Sequence, residues 1–269
     1  KNNFQNINFK LLETGIIVSI DLMKKLKNSL YGNIKAKVIN SHMKFNFELN
    51  DKKFIVKKFV FRNKDLLINS EGIVNHNPFL SINSNITLKD IDSKIFKNIN
   101  LQKILDKKKI IKKINNKSII DYKSNRFRGG FVDDFQLNID LAYGKLIYSK
   151  SFLISDSIIN CRGEIDLVEE YPQLKFNCKL NSKDKRKLIK KFSIKYKIKK
   201  EPLFLNTEGS LNILNNKINF ESIKMNNNYK ANKEDLNYFK ETFESILFDS
   251  GFLNIFNKEK IKEFILQIS

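Results

Sequence analysis

Two histidines, two cysteines and a few paired carboxylates are the first side chains in this 269-residue chain to weigh for chemistry. His42 and His76 stand alone, with no cysteine or carboxylate at ligand spacing, so a zinc site finds no support. Asp133-Asp134 and Glu169-Glu170 fall at turn-like positions, where solvation accounts for them. There is no Gly-x-Gly-x-x-Gly and no phosphate loop. Arg128-Gly129-Gly130 is one isolated copy of a motif that binds RNA in arrays. The chain reads as a non-enzyme, with no catalytic residue, metal or cofactor.

The cysteines say more, because of the stretch that carries them. Ile159, Cys161, Gly163, Ile165 and Leu167 alternate with polar residues. So do Leu174, Phe176, Cys178 and Leu180, after the turn signal Glu169-Glu170-Tyr171-Pro172. Period-two alternation on both arms predicts an antiparallel hairpin with one apolar face. Pairing Leu167 with Pro172 sets Gly163 opposite Phe176, Cys161 opposite Cys178 and Ile159 opposite Leu180. An aromatic then covers the glycine. A one-residue slip would turn every apolar side chain to the wrong face. Two cysteines do not make a disulfide scaffold and read most simply as small buried hydrophobes. The register also allows a Cys161–Cys178 bridge in an oxidising compartment.

The elements around this hairpin follow the same rule. Strand-like alternation recurs over 34–38, 43–49, 54–61, 66–74, 79–91, 118–122, 135–141, 146–148, 151–154, 192–198, 203–205, 211–214 and 217–220. In 54–61 the apolar parity switches across Lys57-Lys58, which predicts a bulge or a turn. Leu22, Met23, Leu26 and Leu30 fall near helical spacing, so 21–30 is expected to be a short helix. Residues 94–115, rich in Ile and Lys, read as a basic amphipathic helix that caps the sheet or lies on an anionic bilayer. Asn232 is placed to cap a helix carrying Leu236, Phe239, Phe243, Ile246 and Leu247, and Asn257 a second with Ile261, Phe264, Ile265 and Ile268. These two are expected to cover an open sheet edge. Asn-x-x-Gly recurs at Gly72, Gly163 and Gly209, the first interval near twice the second, which would suit a repeated hairpin unit.

The expected fold is mainly β: a long curved antiparallel sheet, either an open groove or a flattened barrel, with a mid-chain helix and two C-terminal helices. Residues 1–31 form a connecting segment, 32–231 the sheet body and 232–269 the helical cap. The chain begins at Lys1 without a signal-peptide pattern, and its apolar runs are too short to span a bilayer. It is read as a segment of a longer protein, with any anchor upstream.

Fifty Lys and Arg against 29 Asp and Glu give a net charge of +21, which attracts polyanions and anionic lipid surfaces. Lys, Asn and Ile are residues of AT-rich codons, so genome composition is the plainer source of that charge. Nucleic-acid binding needs Lys and aromatics on one face. Here they fall on opposite parity in most strands, so no nucleic-acid partner is expected.

With strand-rich order and paired C-terminal helices on the page, the chain resembles the C-terminal region of AsmA-like proteins, relatives of TamB and the bridge-like lipid-transfer proteins. The residues that carry this are Asn206-Thr207-Glu208-Gly209-Ser210-Leu211-Asn212-Ile213-Leu214, Ala142-Tyr143-Gly144-Lys145-Leu146, Asn215-Asn216-Lys217-Ile218-Asn219-Phe220 and Tyr229-Lys230-Ala231-Asn232-Lys233-Glu234-Asp235-Leu236. Their joint order is similar to AsmA-like chains of AT-rich alphaproteobacteria from about Gly32 onward. The resemblance implies a periplasmic β-rich body anchored to the inner membrane, an apolar groove, and a role in phospholipid transport or outer-membrane assembly. Phospholipid or a membrane surface is the expected partner, and envelope proteins are a second class. Ile159, Ile165, Leu174, Phe176, Leu180, Phe192, Ile194, Leu211 and Ile213 are the candidate lipid-facing residues. The alternative is a scaffold with a closed core that acts through protein contacts.

Overall fold

The computed structural model describes residues 3–11, 15–25, 29–77, 79–92, 105–123, 127–128, 131–195, 199–249, 255 and 257–268. Alternating side chains build one open, curved sheet of sixteen strands. The first seven form an antiparallel meander: β1 Asn3–Leu11, β2 Ile16–Lys25, β3 Ser29–Val38, β4 Ser41–Leu49, β5 Lys53–Arg62, β6 Leu66–Asn75 and β7 Ser81–Asp92. The chain then crosses over through α1 (Lys108–Ile111) to β8 (Asn115–Lys123), which pairs with β7 in parallel. A parallel neighbour needs a connection that travels back along the sheet, so a mid-chain segment must bridge the two strands. Leu105 and Ile111 within that connection are buried, as are Ile91 and Tyr122 on the strands it joins.

The antiparallel order resumes with β10 Asp134–Ala142, β11 Lys145–Ile154, β12 Ser157–Asp166, β13 Gln173–Ser182, β14 Leu203–Asn212, β15 Lys217–Met225 and the short β16 Tyr229–Lys230. The two-residue β9 (Phe127–Arg128) pairs with β7 off this path. Turns fall where the sequence calls for them. Tyr143 and Gly144 take positive φ between β10 and β11, the geometry that matches the strand twist. Register shifts between Val56 and Phe59, where Lys58 has φ 51°, so Phe54, Val56, Phe59 and Phe61 all reach one face.

Three helices pack at the C-terminal end: α2 Lys185–Lys191, α3 Lys233–Leu247 and α4 Lys258–Ile268. Asn232 caps α3 in a reciprocal capping box with Asp235. Asn257 accepts from the Glu259 amide at the start of α4.

Several expectations change. Residues 21–25 and 29–30 are strand, not helix, and 26–28 lie outside the described residues: Ile20 pairs with Ile34 and Leu22 with Gly32. The sheet therefore begins at β1, and residues 3–11, 16–25 and 29–31 of the expected connecting segment belong to it. The expected helix over 94–115 lies outside the described residues up to 104, and α1 is its described part. Residues 192–195 are not strand. Ser193 takes φ 60° and its amide donates to the Lys190 carbonyl, a left-handed stop that ends α2. Residues 196–198 and Gly251 lie outside the described set.

Candidate functional site

Residues directly opposite one another share a face, so the cross-strand pairs trace the apolar surface row by row. Ile7 pairs with Ile20, Ile20 with Ile34 and Ile34 with Phe45. The Phe45 and Phe59 rings meet at 5.9 Å between centroids. Phe59 stands opposite Ser70, then follow Ile86, Ile120, Leu137 and Lys150. Lys150 faces Cys161, and Cys161 faces Cys178. The cysteines are joined by a disulfide, with Cα atoms 4.0 Å apart.

A parallel row shows why glycines recur. Gly32, Gly72, Gly163 and Gly209 all fall on it, beside Phe47, Ser84, Tyr148, Phe176 and Phe220. A Cβ on Gly32 would stand 2.5 Å from the Phe47 ring. One on Gly163 would stand 1.9 Å from the Lys175 carbonyl oxygen and 2.9 Å from Tyr148 Oη. The glycines are where ring and backbone come closest. Gly72, Gly163 and Gly209 of the Asn-x-x-Gly echo all lie inside strands.

This apolar face has two unlike halves. Over β11–β15 it is covered. Ile154, Leu188, Phe192 and Ile194 form one buried cluster, joined by Phe152, Ile159, Leu180 and the α4 residues Ile261 and Ile265. Leu211, Ile218, Leu247 and Phe248 form another, joined by Leu174, Phe176, Ile213 and Phe243. The Phe243 ring lies 5.4 to 5.8 Å from those of Phe264 and Phe220. Glu244 on α3 accepts from the Ile218 amide and from Lys217 Nζ, both at 2.9 Å. Tyr238 Oη donates to the Gln267 carbonyl at 2.8 Å and ties α3 to α4. The C-terminal helices thus lie over the apolar face, where the sequence suggested they would cover an edge.

The candidate residues Ile159, Leu174, Phe176, Leu180, Phe192, Ile194, Leu211 and Ile213 all sit in these clusters, and Ile165 is buried beside them. They pack against the chain's own helices. Among the described residues the clusters draw nothing from β1–β8. There, Ile7, Phe9 and Leu11 are 48%, 53% and 43% exposed, and Ile20, Ile34, Met43 and Phe45 are half-buried. Phe47 is buried among the rings of Phe45 and Phe54 and the gap left by Gly32.

The polar face carries a hollow of about 900 Å³, running from β5 to β12. Ile55, Ile73, Ile119 and Ile147 line it among Lys57, Glu71, Lys117, Asp140 and Arg162. Much of that charge is satisfied within the sheet: Lys57 pairs with Glu48 at 3.3 Å and Lys117 with Asp140 at 3.5 Å. Asn85 donates to Glu71 at 3.5 Å.

Two other ionisable groups are shifted by their surroundings. Arg186 beside Asp184, the N-cap of α2, draws its carboxyl pKa down to about 2. Burial pushes the Tyr148 phenol up to about 12. His42 is exposed, and exposed His76 makes a 3.3 Å contact from Nε2 to the Asn50 carbonyl oxygen. Among the described residues no group of three or more His, Cys, Asp or Glu could hold a metal, and no helix is long and apolar enough to cross a membrane. No family model, curated protein or solved structure matches this chain.

Proposed function

We propose that this chain is a non-enzymatic, AsmA-like envelope protein whose apolar sheet face guides acyl chains, in support of phospholipid transport or outer-membrane assembly. The observation that carries this reading is the row from Ile7 to Leu137. It crosses nine strands, with Ser70 its one polar member, and among the described residues neither buried cluster of the C-terminal helices reaches it. At about 4.8 Å per strand step, eight steps span roughly 38 Å. An acyl tail asks for continuous apolar contact and no hydrogen bonds. Each buried CH₂ contributes about 0.8 kcal/mol, so a tail laid along several strands gains enough to be held.

The track belongs to β1–β8 in this reading, and the covered half is its closed end. The Cys161–Cys178 disulfide suits an oxidising compartment, here the periplasm, with an inner-membrane anchor supplied by sequence outside this chain. The +21 charge favours approach to anionic lipid.

One observation favours a second reading. The two buried clusters under α2, α3 and α4 form a core filled by the protein's own side chains, as a scaffold acting through protein contacts would have. Phospholipid analysis of the purified chain by mass spectrometry separates the two. Bound phospholipid that is lost on Ile34→Asp or Phe59→Asp supports the track. A folded, lipid-free chain supports the scaffold.

A further inference from the structure

The apolar row ends on a cation. Lys150 sits at an inward position of β11, between Tyr148 and Phe152, opposite Leu137 on one side and Cys161 on the other. Its ammonium lies 5.3 Å from the Phe152 ring centroid and 5.7 Å from that of Tyr148. The nearby carboxylates are engaged on the other face: Glu164 with Lys145 at 2.8 Å and Asp140 with Lys117 at 3.5 Å. A charge placed among rings, with no described carboxylate paired to it, is costly to the fold unless something anionic completes it. Burial draws the Lys150 pKa below the ordinary lysine value, and among the described residues no ion pair is formed with it.

Position matters as much as chemistry. On the N-terminal side of Lys150 runs the uncovered row. Beyond it stand the disulfide and the strands under the helices. A tail lying along the row would bring its end to the ammonium and go no further.

We propose that Lys150 is a head-group site: it binds the anionic head, carboxylate or phosphate, of a single-tailed or diacyl lipid whose tail lies on the apolar face of β1–β10. A charge-assisted hydrogen bond to a carboxylate or phosphate oxygen, made where water is sparse, is roughly twice as strong as a neutral one. This inference rests on the acyl-track reading and adds what the track selects and where the ligand stops.

The test compares three probes with one tail: oleate, oleyl phosphate and oleyl alcohol, titrated against the full chain and against Lys150→Met and Lys150→Arg. Wild type is expected to bind an anionic probe at least about tenfold tighter than the alcohol, a single charge-assisted contact's worth. Lys150→Met should erase that preference while leaving oleyl alcohol binding unchanged, and Lys150→Arg should keep it. The tighter of oleate and oleyl phosphate names the head. Equal binding of all three probes by wild type overturns the Lys150 site and leaves the track standing. No binding of any probe overturns the track itself. The wild-type comparison stands alone if Lys150→Met fails to fold.

Discussion

Phe176 faces Gly209 across β13 and β14, and its ring Cζ comes within 3.0 Å of where a Cβ on that glycine would stand. The same ring faces Gly163 on its other side. A methyl group at 209 would also meet the Asn219 carbonyl oxygen at 2.2 Å, and backbone cannot retreat as a side chain can. Gly209→Ala is therefore expected to destabilise the fold by about 1–3 kcal/mol. Urea unfolding of the variant checks this, and an unchanged midpoint would mean the ring does not lie over the glycine.

The disulfide closes a loop of sequence separation 17 inside an already specified hairpin. Its main effect is then on the unfolded chain, worth about 3 kcal/mol for a loop of this size. Cys161→Ser with Cys178→Ser should lower stability by about 2–4 kcal/mol and keep the β-rich circular dichroism spectrum. Loss of the spectrum would mean that the bridge, and not side-chain parity, fixes the register.

The two halves of the apolar face should answer differently to the same kind of truncation. Leu247 on α3 is only 4% exposed and its removal leaves a cavity, so Leu247→Ala is expected to cost about 2–5 kcal/mol. Phe9 is 53% exposed, and Phe9→Ala should stay within about 0.5 kcal/mol of wild type. Equal losses in chemical denaturation would remove the division between a closed and an uncovered half.

Tyr148 supplies a pH dependence. Burial favours its neutral phenol and pushes its pKa up to about 12, against about 10 in the unfolded chain. The stability it contributes is fully present below pH 10 and is lost as pH rises through about 12. Ultraviolet titration should find a phenol ionising near pH 12 that Tyr148→Phe removes, beside that of Tyr229, which burial and the Asp235 carboxylate also push up. Ionisation of every tyrosine near 10 would contradict the burial.

The hairpin of Cys161 and Cys178 was legible because two alternating arms and a Pro172 turn admit one register. The bulge at Lys58 was legible for a similar reason: Phe54 and Phe59 can share a face only if the parity shifts between them. Leu22 and Leu30 misled, since their spacing fits three or four residues per turn as well as two per pleat. The parallel β7–β8 step left no mark, because Ile86 opposite Ile120 looks the same in either direction. Lys150 was hidden by its own chemistry. A lysine at an inward position breaks the alternation on paper, so 146–148 and 151–154 read as two strands where there is one. Continuing the count from Leu146 and Tyr148 would have pointed it inward. Phe192 and Ile194 alternate as a strand does, yet bury themselves at the end of α2 through one left-handed residue, Ser193.

The central claim is that the uncovered face of β1–β8 holds lipid tails. Native mass spectrometry of the purified chain, beside Ile34→Asp and Phe59→Asp, tests it most directly. The account predicts a phospholipid-sized mass on the wild type that both substitutions remove while the fold persists. A wild type free of lipid, or lipid that survives both charges, would contradict it.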